Sequence, residues 1–547
     1  MPAGVETITH WFVKIAGSDM PREMMDALIS MEVDDSLDLP DMFTIHVRDP
    51  HLQWTESGPF VLGAPVEISV KTETSEARLM AGEVTGLEPT FLKDAGPTLL
   101  IRGYDLSHRL HHGRATKSFI QKTDGDMAKD IARAAGLRSH VDATTEVYDW
   151  VLQNNQTDLE FLQERARRIG YRIFVEEQTL HFVQAPPPPS QVPTLDWGMQ
   201  LHDFRARLVT TEQVSEVVVR GWDPKRKKEI IGRARVAQGL PQISQATRGG
   251  QVAQQAFGNA GKQVVVDRPV ATQAEADSLA QSLCNEIGNA FILAEGSGFG
   301  DPHVLAGSTV NLTGLGTKFS GQYAVTHSRH HYDPKGYTTH FSVTGQRGAT
   351  LTQLLGVKPG GVVRPGVVVG VVTDNRDPEG WGRIKVKYPW QDDNIVSHWA
   401  RQVTPMAGAS RGFQFLPEVN DEVLLAFEHG DMTRPYVLGA LWNGVDSPPE
   451  NSSQVVSGQG KVNKRIIKSR AGHMVILDDT NDVGGITVVD KTGNNKITID
   501  SQGNKITIEA QGDVQIKSSQ SVNIEAPKIS INGQATVDIK GGKINLN

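Results

Sequence analysis

Five stretches of the chain hold residue types at spacings that could do chemistry. Gly408-Ala409-Ser410-Arg411-Gly412 satisfies Gly-x-Ser-x-Gly, which presents a nucleophilic serine when it forms a strand-to-helix elbow in a parallel sheet. Here it lies between two expected strands of a small barrel with no helix after it, so the reading is a turn and no enzyme is expected. His108/His111/His112 and His327/His330/His331 both have the form His-x-x-His-His. On a helix, histidines at i and i+4 can share a metal. The first group falls in a loop after a strand, and the second spans a strand whose alternation separates the rings. Both read as surface or interface histidines. Gly296-Ser297-Gly298-Phe299-Gly300 has the glycines of a phosphate loop but lacks the following Lys-Ser/Thr and the strand-loop-helix context, and it reads as a flexible loop.

The fifth stretch mixes base-stacking and phosphate-binding residue types: Trp381, Arg383, Lys385, Lys387, Tyr388 and Trp390. Against a single-strand nucleic-acid site, residues 366–446 hold 7 Lys/Arg and 11 Asp/Glu, and alternation turns Ile384 and Val386 inward and the basic residues outward. The reading preferred is a barrel wall whose outer charges meet a neighbouring subunit. A nucleic-acid-binding barrel is the rival. The whole chain of 547 residues has a formal charge of −8, which also argues against a general polyanion binder. One cysteine, Cys284, excludes an intrachain disulfide and a cysteine-cluster metal site, and fits assembly in a reducing cytoplasm. No secretory signal and no membrane-spanning apolar run is visible. If the protein crosses a membrane, something else drives it.

The elements that must carry these residues are mainly strands. Phe43–Val47, Val66–Val70, Arg78–Val84 and Thr98–Arg102 alternate or run apolar between Gly/Pro breaks. Two helices follow, the second opened by the capping box Thr157-Asp158-Leu159-Glu160 and stopped at Gly170, and Pro186–Pro189 form a stiff spacer. Further strands fall at Glu216–Arg220, Gln263–Val266, Thr309–Leu312, Tyr323–Arg329 and Thr338–Val343, with a helix at Gln273–Asn289. Lys225-Arg226-Lys227-Lys228 reads as a solvated hairpin tip, with an acidic-partner contact as the alternative. Gly366–Asp446 gives five strands in about eighty residues, an OB-type barrel. The expected organisation is a first hub barrel with helical insert (1–185), a second hub domain (186–355), the barrel (356–448), a linker (449–464) and a C-terminal needle (465–547).

The needle is the strongest pattern. Its apolar pairs are Ile497/Ile499, Ile506/Ile508, Val514/Ile516, Val522/Ile524, Ile529/Ile531, Val537/Ile539 and Ile544/Leu546, starting 9, 8, 8, 7, 8 and 7 residues apart. Upstream, Val475/Leu477 and Ile486/Val488 are spaced by eleven. Residues i and i+2 share one face of a strand, and a strand-turn unit of eight residues cannot bury that face alone. Three chains wound together fill a narrow common core and leave few free edges. A trimeric β-helix or β-prism is therefore expected, with a monomeric solenoid or loose hairpin array as the alternative.

With the parts in this order, the chain resembles the VgrG-type spike proteins and phage gene-D-like hub-spike proteins of contractile injection systems. The resemblance rests on Leu99–Asp105, Ile131–Leu137, Gln156–Leu162 with Gly170-Tyr171, and most specifically on Gly382–Trp390, His398–Arg401, Pro417–Val423 and Gly430–Pro435. It implies a homotrimeric structural spike at the tip of a tail tube, bound to tail-tube and baseplate proteins. A PAAR-type protein would dock at the needle's end, effector cargo could be carried, and the target membrane would be met only during injection. The last residues, Lys543, Ile544, Asn545, Leu546 and Asn547, are the expected tip platform. The resemblance further implies assembly in the bacterial cytoplasm and then a place in a phage-tail-like particle. The compact form looks most like an extracellular system, with type VI or prophage spikes as alternatives. No lysozyme insert or toxic extension is visible, and the last residues lack the His-x-His iron ligands of some phage spikes, so no cofactor or metal is expected.

Overall fold

Apolar residues recurring every second position from His10 to Val343 assemble one sheet of eleven strands. Its order runs Leu201–Leu208, Ile292–Phe299, Gly336–Val343, His327–Asp333, Leu28–Ser36, Met42–Arg48, Gly96–Tyr104, Glu76–Leu92, Pro65–Lys71, His10–Ile15 and Ser18–Asp19. The seam between sequence-distant halves is the antiparallel pair of Leu28–Ser36 with His327–Asp333, in register Arg329↔Asp34. Met31, Val33, Phe43, Ile45, Val47, Leu99 and Ile101 point to one side and are fully buried. The computed structural model describes residues 10–71, 76–184, 191–238, 242–243, 249–258, 260–345, 366–389, 396–481 and 484–545. Pro186–Pro189, Trp390, Leu546 and Asn547 lie outside the described residues.

The helices Asp124–Ala134 and Asp158–Ile169 form where local chemistry dictates. Thr123 with Asp126, and Thr157 with Glu160, make reciprocal capping boxes, and Gly170 ends the second helix at φ 74°. Their apolar faces (Met127, Ile131, Leu159, Leu162) enclose a core with the Arg172–Glu176 and Thr179–Val183 hairpin. The helix Gln273–Asn289 has the expected bounds and covers a sheet of Lys228–Ala234, Glu216–Asp223 and Lys262–Val265.

Two expectations are corrected. Gly296–Gly300 is not a flexible loop: Ile292–Phe299 is an interior strand of the large sheet. Its glycines are there for space, because an added Cβ would lie 2.5 Å from Phe341 at Gly296, 2.1 Å from the Gln200 carbonyl at Gly298 and 2.0 Å from Tyr337 at Gly300. The single strand expected over Tyr323–Arg329 is two, Gly321–Ala324 in a four-stranded sheet and His327–Asp333 in the large one.

The barrel's strands are Lys385–Lys387, Val367–Asp374, Glu422–Phe427, Pro435–Ala440 and Arg401–Gln402, in that order. Bridges Ile384↔Ala400 and Lys387↔Val396 draw its open side together. Its core is not self-contained. Trp150 and Leu152, from the Tyr148–Gln156 strand, pack with Val372, Ile384, Val386, Tyr388, Val423 and Leu425.

The chain divides into Met1–Leu441 and Trp442–Asn547. In the second unit, Lys464–Lys468, Met474–Asp478, Gly485–Val489, Lys496–Asp500 and Lys505–Glu509 form an antiparallel meander in sequence order. Asp478 and Asp500 end two of these strands and Asp490 directly follows a third, and they accept backbone N–H groups of the turns, from Thr480, Gln502 and Thr492. Residues 510–545 contain no helix or strand.

Candidate functional site

The meander's register stacks its apolar pairs into a ladder. Ile497 faces Ile508 and Val488, Ile499 faces Ile506 and Ile486, and Val475 and Leu477 continue both columns. These side chains and Ile467 are between 37% and 69% exposed. The middle column of the opposite face runs Ile466, Ile476, Thr487, Thr498 and Thr507, apolar at its first two rungs and polar at the last three. A sheet that is apolar on one side and uncovered has a large unrealised stabilisation, because each such side chain contributes roughly 1.5–3 kcal/mol when fully buried. A contiguous exposed apolar face of this kind marks an interaction surface.

Of the expected needle core, Ile497, Ile499, Ile506 and Ile508 lie in strands of the meander. Val514, Ile516, Val522, Ile524, Ile529, Ile531, Val537 and Ile539 are exposed in the segment without strands, as are Lys543, Ile544 and Asn545 of the expected tip platform. The spacing is eleven as far as Ile497, nine from Ile497 to Ile506 and about eight from there on, and beyond Glu509 the single chain leaves the backbone unpaired in strands. Backbone N–H and C=O groups away from water need partners, and nothing within this segment supplies a ladder.

The other candidates resolve as follows. Ser410 sits at the exposed tip of a hairpin pairing Ala407–Gly408 with Arg411–Gly412, at φ 54°, and among the described residues no histidine hydrogen-bonds to it. His108 lies in a 3-10 helix, Leu106–His111, not an open loop, and pairs with Glu83 at 3.2 Å. His327 and His331 share one face with Arg329 between them, lining a polar groove of about 440 Å³ with Glu32, His340 and Ser342. His330 points the other way and is fully buried. Its Nδ1 meets the Tyr337 hydroxyl at 2.7 Å and its Nε2 the Val304 carbonyl at 3.1 Å, and burial pushes its pKa down to about 3. Among the described residues no cluster of three or more His, Cys, Asp or Glu is placed to hold a metal ion.

In the barrel, Arg383 stacks on Trp381 and donates to Asp377 at 2.7 and 3.0 Å, while Tyr388 is fully buried. A stacking platform needs open aromatic faces and free cations. This wall instead spends its main guanidinium on Asp377, whose carboxyl is held below the usual range chiefly by that bond.

An acidic trio, Asp105 buried and Asp35 and Asp41 half-buried, was not legible in the sequence. Asp35 accepts from the Ala306 N–H at 2.8 Å, Asp41 from the Ser36 N–H at 2.9 Å, and Asp105 from Ser107 at 2.6 Å. Burial pushes Asp35 up to about 6 and Asp105 up to about 7; Asp41 is raised well above the usual range by burial and then by its two neighbours' charges. Folded-state pKa values above the unfolded ones mean stability that is fully present below about pH 4 and is lost as pH rises through 6–7. Asp105→Asn keeps an acceptor for Ser107 and removes one charge. The variant is expected to melt higher than the parent at pH 8 and to show a smaller melting-temperature drop between pH 4.5 and 8, as read by circular dichroism.

Comparison with known proteins gives two family matches. Residues 6–333 match the family described as the Alg8 N-terminal domain, and residues 368–442 match the type VI secretion system/phage-baseplate injector OB domain. The chain is 31% identical over 86 residues to the type VI secretion system spike protein VgrG2a of Pseudomonas aeruginosa, covering 15% of this chain and 10% of that protein. It is 30% identical over 125 residues to VgrG5 of the same organism, covering 20% and 16%. The match therefore spans only a small part of these curated relatives. A chain in the lidded Francisella PdpA-VgrG complex superposes with a TM-score of 0.54 at 8% identity, covering 93% of this chain and 81% of that one, which establishes likeness of fold. Among the described residues no helix is long and apolar enough to cross a membrane.

Proposed function

Since the chain belongs to the Alg8 N-terminal domain family and continues into an injector-type OB domain, we propose that it is the VgrG-type structural spike of a contractile injection system. Three copies associate through the C-terminal unit. The hub residues join the tail tube and baseplate, and the needle carries a PAAR-type tip protein on Lys543–Asn547 toward the target membrane, with effector cargo travelling on the same particle. The spike is made in the bacterial cytoplasm and works in the assembled tail, extracellular or cell-associated.

The observation that carries this reading is the uncovered apolar ladder from Ile467 to Ile508, followed by residues 510–545 that repeat its pairs without pairing in strands. Three copies solve both problems together. Meander faces turned inward cover one another, and past Glu509 each chain's strands take their hydrogen bonds from the other two. A strand held on both edges by different chains cannot peel away singly, which suits a part that transmits axial load. Function on this reading is mechanical: the contracting machine supplies the work and the chain itself catalyses nothing.

Limited proteolysis of the purified protein tests it. A C-terminal fragment beginning near Lys464 is expected to survive and to migrate as a trimer in SDS until boiled. Digestion of this region at the rate of the interdomain segments would contradict the reading.

A further inference from the structure

The sheet under the helix Gln273–Asn289 has a second face that the spike reading does not use. Val217, Val219, Ile230, Ala234 and Val265 turn toward the helix. The opposite side of the same strands carries Arg220, Trp222, Arg233, Arg235, Lys262 and Val264, all exposed. Three of these cations converge on one carboxylate: Glu216 receives Lys262 at 2.8 Å, Arg235 at 2.9 Å and Arg233 at 3.4 Å. The Glu216 side chain is 3% exposed, whereas the cations are 50–69% exposed. One buried negative charge thus holds three positive charges in place and leaves a surplus facing solvent. Residues 216–235 carry seven Lys/Arg against three Asp/Glu, and Lys262 adds another, on a chain whose net charge is −8.

Two further features lie beside this cluster. Lys262–Val265 is an edge strand, paired in parallel with Glu216–Val219 and with no strand on its other side among the described residues. Val264 and Val266 on that edge, and Trp222 across the sheet, are about half exposed. An exposed edge with alternating apolar side chains is a template for strand addition, and fixed cations beside it select the sign of the added strand's charge.

We propose that this sheet face docks an acidic, extended protein segment, which adds to the Lys262–Val265 edge and lays its carboxylates on Arg233, Arg235 and Lys262. At the hairpin tip Lys225 pairs with Glu379 at 3.0 Å and Arg226 with Asp223 at 3.9 Å, and Lys227 and Lys228 extend the same positive field. The occupant is protein and not nucleic acid, because the edge offers backbone pairing and valine contacts. A polyphosphate backbone uses neither, and it meets a net-negative chain everywhere else. The inference stands apart from the spike assignment, since it concerns only this sheet and its charges.

The test is fluorescence anisotropy on the full-length protein at moderate salt. The probes are a dye-labelled peptide alternating Glu and Thr and a dye-labelled oligo-dT of matched charge. The peptide is expected to bind more tightly than the oligonucleotide, and about tenfold more weakly to Arg233→Gln/Arg235→Gln. Because that variant strips partners from buried Glu216, the second variant is Arg220→Glu/Val264→Glu, which leaves the cluster intact and is expected to lose peptide binding equally. Peptide affinity unchanged in the second variant, or tighter binding of the oligonucleotide through the same residues, overturns the proposal.

Discussion

Ile497→Asp combined with Ile499→Asp is expected to abolish the trimer at micromolar concentration. Both side chains lie in the middle of the apolar ladder, between Ile486/Val488 and Ile506/Ile508. In a single chain they are 45% and 39% exposed, so an aspartate there meets water and the meander's own hydrogen bonds persist. In a trimer the same change brings six carboxylates into a narrow apolar interior, where an unpaired charge costs several kcal/mol each, and the Arg465 on this face lies three strands from Ile499. The monomer is therefore tolerant and the assembly is not. Analytical ultracentrifugation checks this: a monomer with unchanged far-ultraviolet dichroism of the hub is the expected outcome. A trimer as stable as the parent's would mean that the ladder faces outward.

Trp150→Ala is expected to unfold the barrel even though Trp150 lies more than two hundred residues before it. The indole is 8% exposed and is part of the barrel's core with Leu152, Ile384, Val386 and Leu425. Truncating a buried tryptophan costs roughly 3–5 kcal/mol, a large fraction of a small domain's stability. The same strand holds the barrel by polar contacts, Asn154 Nδ2 to the Met432 sulfur at 3.0 Å and Asp149 to His398 at 3.5 Å. The change is expected to split one cooperative thermal transition of the Met1–Leu441 unit into two, the earlier belonging to the barrel. Differential scanning calorimetry reads this directly. A single transition at the parent temperature would show that the barrel stands alone.

What was legible in the sequence was local. Thr157 with Glu160 and the stop at Gly170 set a helix by hydrogen bonds within one turn, and the bounds of Gln273–Asn289 followed from its own periodicity. Five barrel strands were expected, but two of them, Lys385–Lys387 and Arg401–Gln402, are only three and two residues long, since pairing partners and not propensity decide where ladders stop. Gly296–Gly300 was misread because the composition of a loop and of a closely packed strand is the same. Only Phe341, Gln200 and Tyr337 distinguish them, and they are distant in sequence. Trp150 in the barrel core, the seam at Arg329↔Asp34 and the cations around Glu216 were invisible for the same reason. The needle's repeat was plain, and so was its shortening from eleven through nine to about eight. What periodicity did not reveal is that the repeats spaced by eleven and nine pair with one another within one chain.

Trimerisation through the C-terminal unit is the central claim, and light scattering of the full chain beside a truncation ending at Gly460 tests it most directly. The account predicts a full-length mass three times 59.6 kDa and a truncated species that is monomeric or only weakly associated. A full-length monomer at micromolar concentration, or a truncation that remains a stable trimer, would contradict it.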